Sequence, residues 1–343
     1  MNSPEPPADV LDAWDFGRAT LTPIALGHIN CTFLLEHDDE RFVIQRVSPI
    51  FGPEIHDDIE AVTERLEIRG VATPRLVRTR QGDRYVESQG LWRVLTYAPG
   101  HTFLRVDSTD VAASAARLLA RFHRALLDFD YRFQNRRSGI HDTDRHLENL
   151  RQTVDSAGSH PNADAVGRLT DRIQERLAAL PSLSHLPDRV THGDPKISNV
   201  LFGADGEAHC LVDLDTLGRM SLVHELGDAL RSWCNRGDED GRKAHFDSEI
   251  FAAAIRAYVR EAGPGFCDDE LPLVIDGVEL IALELASRFA ADSINESYFA
   301  WDRERFESAG AHNLQRAENQ WSLASSVREQ RAVLEAAVAE LTG

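Results

Sequence analysis

The hydrophobic pattern of the chain changes near residue 100. Before that point short apolar runs alternate with polar turns, which predicts strands at 20–27, 31–37, 41–47, 75–79, 84–88 and 91–97. One helix interrupts these runs, beginning near Pro53 and ending at Gly70, with apolar residues at steps of three and four. The pattern therefore predicts an antiparallel sheet with one main helix.

After Ala98-Pro99-Gly100, which predicts a hinge, the apolar spacing becomes mostly helical. Helices are expected at 109–128, 142–156, 162–180, 222–235, 246–262, 270–294 and 312–341. A small hairpin is expected inside this part, with strands at 199–202 and 209–212. Because 343 residues exceed the usual size of a single core, we expect an α+β fold of two lobes, residues 1–98 and residues 99–343.

The composition excludes several classes of protein. The chain has 56 acidic and 37 basic residues, a formal net charge of −19, and its only lysines are Lys196 and Lys243. Such an acidic balance argues against a protein that coats nucleic acid or an anionic membrane. No signal peptide or membrane span is expected, and four widely separated cysteines indicate reduced thiols. We therefore expect a cytoplasmic location.

Two motifs carry chemistry: THGDPKISN at 191–199 and LVDLD at 211–215. A carboxylate at Asp194 can accept the proton of an attacking hydroxyl, and Asn199 and Asp213 can supply oxygen ligands to Mg²⁺. Asp215 is expected to point to the same face as Asp213 and to act as a further metal ligand. Either motif alone is commonly an ordinary turn, but the two in this order predict phosphoryl transfer.

The two motifs resemble those of the aminoglycoside phosphotransferase and choline kinase superfamily, whose fold is similar to that of the protein kinases. Segments at 27–33, 42–47, 92–97, 213–216, 227–231, 288–299 and 312–320 are similar, in order, to the N-acetylhexosamine 1-kinases. The resemblance implies that Asp194 is the catalytic base and that Asn199 and Asp213 bind Mg²⁺. It also implies that His192 supports the catalytic loop and that Asp228 is a buried aspartate that accepts hydrogen bonds from catalytic-loop amides.

The resemblance further implies an ATP site between the lobes. The turn that contains Gly27, His28 and Asn30 would lie over the phosphates, where backbone amides suit an anion. Residues 95–98, including Thr96 and Tyr97, would hold the adenine through their backbone groups.

The strand at 42–47 departs from the wider superfamily, which places a lysine there to bind the phosphates. Gln45 falls near that position and Arg46 is the nearest cation, and only one of the two can face the cleft because side chains alternate on a strand. We expect Arg46 to bind the phosphates, since a triphosphate in an acidic protein needs a compensating charge. Its partner on the helix would be Glu60 or Glu64.

A candidate acceptor surface lies at the end of the helix predicted at 270–294 and just beyond it. Arg288, Asp292, Asn295 and Tyr298 are spaced by 4, 3 and 3, as on one side of a helix, and an arginine with an aromatic ring suits a neutral polyol with an acetamido group. The alternative is that Arg288 and Asp292 form an ordinary surface ion pair. The segment 141–146 resembles a metal cluster in composition, although we favour helix capping at the rim of the substrate site.

The sequence thus predicts an enzyme that uses ATP and Mg²⁺ to phosphorylate a sugar, with the anomeric hydroxyl of an N-acetylhexosamine as the expected acceptor. We expect a monomer or a weak homodimer. One alternative keeps the fold and takes an aminoglycoside or a choline-like amino alcohol. Another is a catalytically silent nucleotide-binding regulator, which the intact base and metal positions disfavour.

Overall fold

The computed structural model describes residues 5–24, 30–135, 141–237, 240–266 and 268–342. In the first part of the chain the described strands form an antiparallel sheet of order β1-β2-β3-β6-β4, and β5 pairs with β6. These strands are β1 (Thr20–Ile24), β2 (Cys31–His37), β3 (Glu40–Val47), β4 (Leu76–Val77), β5 (Val86–Glu87) and β6 (Leu91–Thr96).

The hairpin between β2 and β3 sets the register of the sheet. Its turn is formed by Asp38 and Asp39, whose φ angles of 47° and 66° are the left-handed values that a two-residue hairpin turn requires. This register pairs Thr32 with Gln45, and β6 then places Arg93 opposite Gln45. Three polar side chains consequently share one face of the sheet.

The other face of the sheet is apolar. Its buried residues pack against a short helix, α1 (Ala8–Ala13), which the sequence analysis did not predict. Those residues are Phe33, Leu35, Ile44, Trp92 and Val94. The polar face lies on the side of the sheet where helix α2 (Ile55–Ile68) is found. The apolar residues of α2, together with Val47, are part of the main hydrophobic core.

The second part of the chain is mainly helical. Its helices are α3 (Thr109–Ala125), α4 (Thr143–Ser156), α5 (Ala163–Ala178), α6 (Leu222–Trp233), α7 (Ser248–Ala262), α8 (Val274–Asn295), α9 (Ala309–Glu329) and α10 (Arg331–Thr342). Two small antiparallel pairs lie among them: β7 (Arg189–Thr191) with β10 (Gly218–Met220), and β8 (Val200–Phe202) with β9 (Ala208–Leu211). The pair β8–β9 confirms the predicted hairpin.

Helix α8 is the centre of the helical part. It packs against α4, α5, α6 and α9 and is buried along most of its length. Four of its buried residues are acidic: Asp276, Glu279, Glu284 and Asp292. Because a buried carboxylate is unfavourable unless it is paired or hydrogen-bonded, these positions must have defined polar partners.

Helix α2 connects the sheet to the helical part through one carboxylate. Asp58 is buried and accepts hydrogen bonds from the Tyr131 hydroxyl at 2.9 Å and from the backbone amides of Gln134 and Asn135, each at 2.8 Å. Three donors from the segment that follows α3 therefore converge on one side chain of α2.

The predicted fold class, an α+β kinase-like fold with an antiparallel sheet and a helical second part, is confirmed. The single terminal helix expected at 312–341 is instead two helices, since α9 ends at Glu329 and α10 begins at Arg331. At the expected hinge Gly100 has φ +148°, and a Cβ there would lie 2.9 Å from the carbonyl oxygen of Phe202. The division at residue 98 remains a prediction. Within the described ranges, the search for a helix long and apolar enough to cross a membrane found none.

Candidate active site

The catalytic-loop motif lies between β7 and β8, in contact with the second motif. Gly193 has φ +82°, and a Cβ at this position would lie 2.3 Å from the backbone oxygen of Thr216. The Thr216 hydroxyl also donates to the carbonyl of His192 at 2.9 Å. A glycine is therefore required, because only a residue without a side chain allows the two loops to approach this closely.

Glu225 of α6 anchors the catalytic loop. Its buried carboxylate accepts hydrogen bonds from the amides of His192 at 2.8 Å and Gly193 at 2.9 Å, and His123 lies 3.3 Å away. Burial alone would raise the pKa of Glu225, but the hydrogen bond and charge of His123, together with the Gly193 amide, lower it below the ordinary value. Two main-chain donors and one imidazole thus compensate a charge with no exposure to solvent.

This contact corrects the role that the sequence analysis gave to Asp228. Asp228 lies three residues further along α6 and pairs with Arg231, whose Nε and Nη2 donate to Oδ1 at 3.1 and 2.8 Å. It does not receive the catalytic-loop amides, which go to Glu225. His192 has the supporting position that was expected, with Nε2 2.9 Å from the carbonyl oxygen of Val212.

Asp194, the predicted base, is partly exposed and paired with Lys196. Its Oδ2 lies 2.5 Å from the lysine Nζ, and 23% of its side chain is accessible. Although burial acts to lower the pKa of Lys196, the charges of Asp194 and Asp213 raise it above its ordinary value, so the ammonium group stays protonated. The carboxylate is therefore open to a ligand while one of its oxygens is held by a cation.

Asn199 and Asp213 are brought together by the hairpin. Asn199 is buried, its side-chain amide donates to the carbonyl of Asp194 at 2.8 Å, and its backbone oxygen accepts from Val212 at 2.9 Å. Asp213 is the residue directly after Val212, and its φ angle is +66°. Burial, with the charges of Asp215 and Asp194, raises the pKa of Asp213 to about 6.

These contacts fit a divalent cation. The Asn199 amide nitrogen is already used, which leaves its carbonyl oxygen as the metal-binding group. The pKa of Asp213 is raised first by burial and then by the charges of Asp215 and Asp194, and a cation would offset both effects. Among the described residues, no group of three or more histidine, cysteine, aspartate or glutamate side chains is arranged to hold a metal. A cation would therefore need oxygen atoms from another source, such as phosphates.

Asp215 has a different environment from the one expected of a metal ligand. Its Oδ1 lies 2.5 Å from Arg93 Nη1 in an ion pair whose two side chains are each 1% exposed. Its Oδ2 accepts a hydrogen bond from the Asn30 amide at 2.7 Å. Both oxygens are thus engaged by residues of the first part of the chain, and the structure does not bring Asp215 into the metal position.

The strand β3 resolves the choice between Gln45 and Arg46. Gln45 faces the site, where its Oε1 accepts from Arg93 Nε at 2.9 Å and Nη2 at 2.7 Å. Arg46 lies on the same face as Ile44, on the side of α1, and its guanidinium donates to the carbonyl of Gln89 at 2.6 Å. The expectation that Arg46 faces the cleft is therefore corrected, because strand alternation turns it to the opposite face.

The expected helix partner of Arg46 also has other contacts. Glu60 of α2 pairs with Arg78 at 2.5 Å and with Arg84 at 2.6 Å. The buried cation beside Gln45 on the cleft face of the sheet is Arg93, which the sequence analysis did not assign.

The predicted nucleotide residues are only partly described. Gly27 and His28 lie outside the described residues, and Asn30 uses both ends of its amide, donating to Asp215 and accepting from the Ser48 amide at 2.9 Å. The Thr96 amide donates to the carbonyl of Arg75 at 2.8 Å, so this donor is not free for adenine. The Tyr97 ring lies 4.2 Å from the guanidinium carbon of Arg41.

The predicted acceptor residues separate into two groups. Arg288 and Tyr298 lie near one another, with the guanidinium carbon 5.9 Å from the ring centre and the tyrosine 52% exposed. Asp292 is buried and accepts from the amides of residues 297–299, at 2.8–2.9 Å, and from Asn313 at 3.0 Å. Asp292 therefore shapes the loop that carries Tyr298, and its expected contact with substrate is corrected to a structural one.

A further polar pair lies one helical turn before Arg288. Glu284 accepts from the Thr143 hydroxyl at 2.7 Å and lies 3.0 Å from His141 Nδ1, with both side chains buried. Burial acts to lower the pKa of His141, but Glu284 raises it above its ordinary value. The segment 141–146 thus caps and anchors α4 on α8, since Asp142 accepts from the Arg145 amide at 3.1 Å.

Sequence reasoning missed Glu225, Arg93 and Glu284. Each is a buried charged residue, in α6, β6 and α8 respectively. Only Arg93 stands out in the sequence, as the one charge in the apolar strand β6, because such charges are rarely buried without a partner.

Comparison with known proteins agrees with this geometry. Residues 20–263 match the model of the phosphotransferase enzyme family. The chain is 30% identical over 225 residues to the homoserine kinase of Methylobacterium nodulans, covering 65% of this chain and 67% of that protein.

Solved structures share the fold at low sequence identity. A microcompartment-associated aminopropanol kinase superposes with a TM-score of 0.66 at 15% identity, covering 96% of this chain and 97% of that one. An aminoglycoside phosphotransferase from Alicyclobacillus acidocaldarius gives 0.61 at 18%, with the same coverage of both chains. An amicoumacin kinase in complex with AMP-PNP, Ca²⁺ and Ami gives 0.59 at 14% and covers 89% of this chain and 88% of that one. The chain belongs to the phosphotransferase enzyme family and is a small-molecule kinase of the aminoglycoside phosphotransferase and choline kinase fold.

Proposed function

We propose that the protein transfers the γ-phosphoryl group of ATP to the anomeric hydroxyl of an N-acetylhexosamine, with Mg²⁺ as the metal. The observation that carries the proposal is the convergence of Asp194, Asn199 and Asp213. The Asn199 amide contacts the backbone of Asp194, and Asp213 follows the residue that is hydrogen-bonded to Asn199. A proton acceptor and two oxygen ligands at one point are what transfer to a hydroxyl needs.

The residues of the chain have separate tasks in this proposal. Asp194 orients the acceptor hydroxyl and takes its proton, while Lys196 holds one carboxylate oxygen and adds a positive charge beside the reacting groups. Asn199 and Asp213 would hold Mg²⁺, which when bound supplies charge neutralisation for the phosphates. Glu225 keeps the loop that carries Asp194 in place through two backbone amides.

The charges around Asp194 favour a neutral acceptor. Asp194 is paired with Lys196, and Asp228, whose charge acts on Lys196, is paired with Arg231. The buried Glu284 is paired with His141. These carboxylates already have cationic partners, so a cationic acceptor would have to displace one of them, whereas a sugar could use the polar groups as they stand. The Arg288 and Tyr298 side chains add a donor and a ring to this surface.

Homoserine is the second candidate, because one curated relative of this chain is a homoserine kinase. It is a zwitterion, and Arg288 could pair with its carboxylate. Aminoglycosides and choline-like amino alcohols follow from the names of the structural relatives but require an anionic pocket. A catalytically silent regulator would bind nucleotide without transfer to any acceptor. We further propose a cytoplasmic location, which suits an ATP-dependent enzyme and the unpaired thiols of Cys31, Cys210 and Cys234, and a monomeric or weakly dimeric state.

A substrate panel tests the proposal. The purified protein with ATP and Mg²⁺ would be assayed on N-acetylglucosamine, N-acetylgalactosamine, glucose, galactose, L-homoserine, choline and kanamycin. The expected result is saturable transfer to an N-acetylhexosamine, with coupling between phosphorus and the anomeric proton in the product NMR spectrum. Saturation by homoserine alone, or by a cationic acceptor alone, would reject the sugar assignment and retain the kinase.

A further inference from the structure

Arg93 joins two polar groups on the cleft face of the sheet. Its Nη1 lies 2.5 Å from Asp215 Oδ1, and its Nε and Nη2 donate to Gln45 Oε1 at 2.9 and 2.7 Å. Gln45 is held in turn, because its Nε2 donates to the Thr32 hydroxyl at 3.1 Å. The side chain of Arg93 is 1% exposed, so the guanidinium is buried and its orientation is set on two sides.

Asp215 receives a second contact from the first part of the chain. Asn30 donates to Oδ2 at 2.7 Å, and Asn30 is itself held by the amide of Ser48, which donates to Oδ1 of Asn30 at 2.9 Å. Both carboxylate oxygens of Asp215 are therefore directed by residues of the first part of the chain, although Asp215 belongs to the helical part.

The position of Asp215 connects these contacts to the metal site. Asp215 lies in a single 3-10 turn, Leu214–Thr216, and Asp213 is the residue that precedes this turn. The other end of the turn is fixed by Thr216, which donates to the carbonyl of His192. Asp213 is thus attached to a short turn whose middle is held by the sheet and whose end is held by the catalytic loop.

A buried ion pair of this kind is not explained by stability alone. Removing two charges from water costs several kcal/mol per ion, so a buried pair often contributes little net free energy compared with apolar residues. Its measurable effect lies in fixed geometry, which is useful beside a metal ligand, since groups that orient a ligand change metal affinity when they are altered.

We propose that Arg93 is a positioning residue for the nucleotide-bound metal: by neutralising and orienting Asp215, it sets the turn that presents Asp213. The role is indirect, because the nitrogens of Arg93 are engaged by Gln45 and Asp215 and its side chain is buried. The inference rests on the proposed function in one respect, namely that a metal–nucleotide complex is the ligand of this site.

The test measures ligand binding without turnover. The full-length wild-type protein and the variants Arg93→Met, Asp215→Asn and the double variant would be titrated calorimetrically with AMP-PNP, with and without Mn²⁺ and in the absence of acceptor. We expect Arg93→Met to weaken the binding of Mn²⁺·AMP-PNP about tenfold or more and the binding of metal-free AMP-PNP about twofold at most. The double variant should bind no more weakly than the weaker single variant, because it leaves no unpaired charge.

Two further variants control for misfolding. Arg331→Met breaks the ion pair of a partly exposed arginine with the buried Asp276, on α10 and α8, and should lower the melting temperature without changing Mn²⁺·AMP-PNP affinity. Gln45→Ala removes one partner of Arg93 while retaining its charge, and should weaken metal–nucleotide binding in the same direction by a smaller factor, which keeps the test available if Arg93→Met fails to fold.

The outcomes separate this inference from the proposed function. Three results would each overturn the positioning role. They are wild-type affinity in Arg93→Met, losses of affinity that multiply in the double variant, and equal losses of affinity with and without Mn²⁺. If the wild-type protein bound no Mn²⁺·AMP-PNP, the proposed function would fall as well. Arg93→Lys should recover part of the affinity, since it keeps the charge but not the planar fork.

Discussion

The loop that carries Asp194 (the catalytic loop) and the loop that carries Asp213 (the metal loop) lie in contact, yet they are held in different ways. The loop that carries Asp194 is anchored by Glu225, a residue of the same helical part, through two backbone amides. The turn that follows Asp213 is held through Asp215 by Arg93, which belongs to the sheet, and by Asn30, which precedes β2. The position of the base is therefore set within one part of the molecule, whereas the position of the metal ligand depends on contact between two parts.

This difference bears on how the site assembles. The hydrogen bonds of Glu225 do not involve the sheet, so the base is in place whatever the position of the sheet. Asp213 is oriented fully only when the sheet, which would also bear the nucleotide, lies against the helical part. The arrangement couples metal binding to nucleotide binding and leaves the proton acceptor constant, which suits a reaction that depends mainly on positioning.

The largest expected effect comes from removing the base within the anchored loop. Asp194→Asn should reduce the rate of phosphoryl transfer by roughly 10²–10⁴-fold, because the amide cannot accept the hydroxyl proton. The measurement is kcat for the acceptor found in the substrate panel, alongside the affinity for Mn²⁺·AMP-PNP. The affinity should stay within about threefold of wild type, which is a much smaller change in free energy than the expected loss of rate.

A wild-type rate in Asp194→Asn would contradict the mechanism. Asp205→Asn serves as the matched control, since Asp205 is an exposed aspartate in the turn between β8 and β9, and its substitution should leave kcat unchanged.

The next effect tests the anchor of the catalytic loop. Glu225→Ala leaves the amides of His192 and Gly193 without their acceptor and removes a buried charge, which should lower the free energy of unfolding by about 3–5 kcal/mol. The measurement is urea denaturation followed by circular dichroism.

The control for this variant is Glu340→Ala on the surface, where the ion pair with Arg256 is exposed and its loss should cost about 1 kcal/mol or less. Equal destabilisation by the two substitutions would show that Glu225 is not the anchor.

The contrast between the loops also explains what could be predicted from the sequence. The motif at 191–199 and the aspartate at 213 indicate the chemistry directly, because the reaction requires those side chains at that spacing. The anchor was assigned to Asp228 and is Glu225, one helical turn earlier. The partners of Glu225 are mostly backbone amides, which every residue possesses, so no side-chain pattern distinguishes the two acidic residues of α6.

The cation of the sheet was misassigned for a related reason. Alternation along β3 shows that Gln45 and Arg46 face opposite sides but does not show which face meets the helical part. That choice depends on α1, which covers the side of Ile44 and was not recognised in the sequence. Arg93 lies on a strand that is distant in sequence, and only the pairing of β3 with β6 brings it beside Gln45. The hydrophobic pattern of the sequence therefore predicts the fold class, but it does not predict which side chains pair across the sheet.

A smaller effect is expected from the charge of Asp213. Because burial and two neighbouring carboxylates raise its pKa from 3.8 to about 6, the folded protein holds this proton more tightly than the unfolded chain does. Stability is therefore lost as pH rises from about 4 to about 6 and is constant above that range. Asp213→Asn removes the effect and should raise the free energy of unfolding of the metal-free protein by about 1–3 kcal/mol at pH 7.5, and by less at pH 4.5.

The measurement is urea denaturation in EDTA at the two pH values. Asp205→Asn again provides the control, and its effect on stability should be small and the same at both. A difference in unfolding free energy between Asp213→Asn and wild type that does not grow with pH would show that the pKa of Asp213 is not raised by its neighbours. The same variant should lose the Mn²⁺-dependent part of AMP-PNP binding, which connects the pH effect to the metal loop.

The smallest effect concerns Arg46 and tests the orientation of the sheet itself. Its guanidinium contacts the carbonyl of Gln89 on the α1 side, so Arg46→Ala should change the KM for ATP by less than about twofold, consistent with a surface substitution. Arg93→Met should raise the same KM, at fixed Mg²⁺, by about tenfold or more if Asp213 loses its orientation. The reverse ranking, with Arg46→Ala more harmful than Arg93→Met, would mean that β3 turns its other face to the nucleotide. In that case the sheet would not hold the metal loop, and both loops would be held by the helical part.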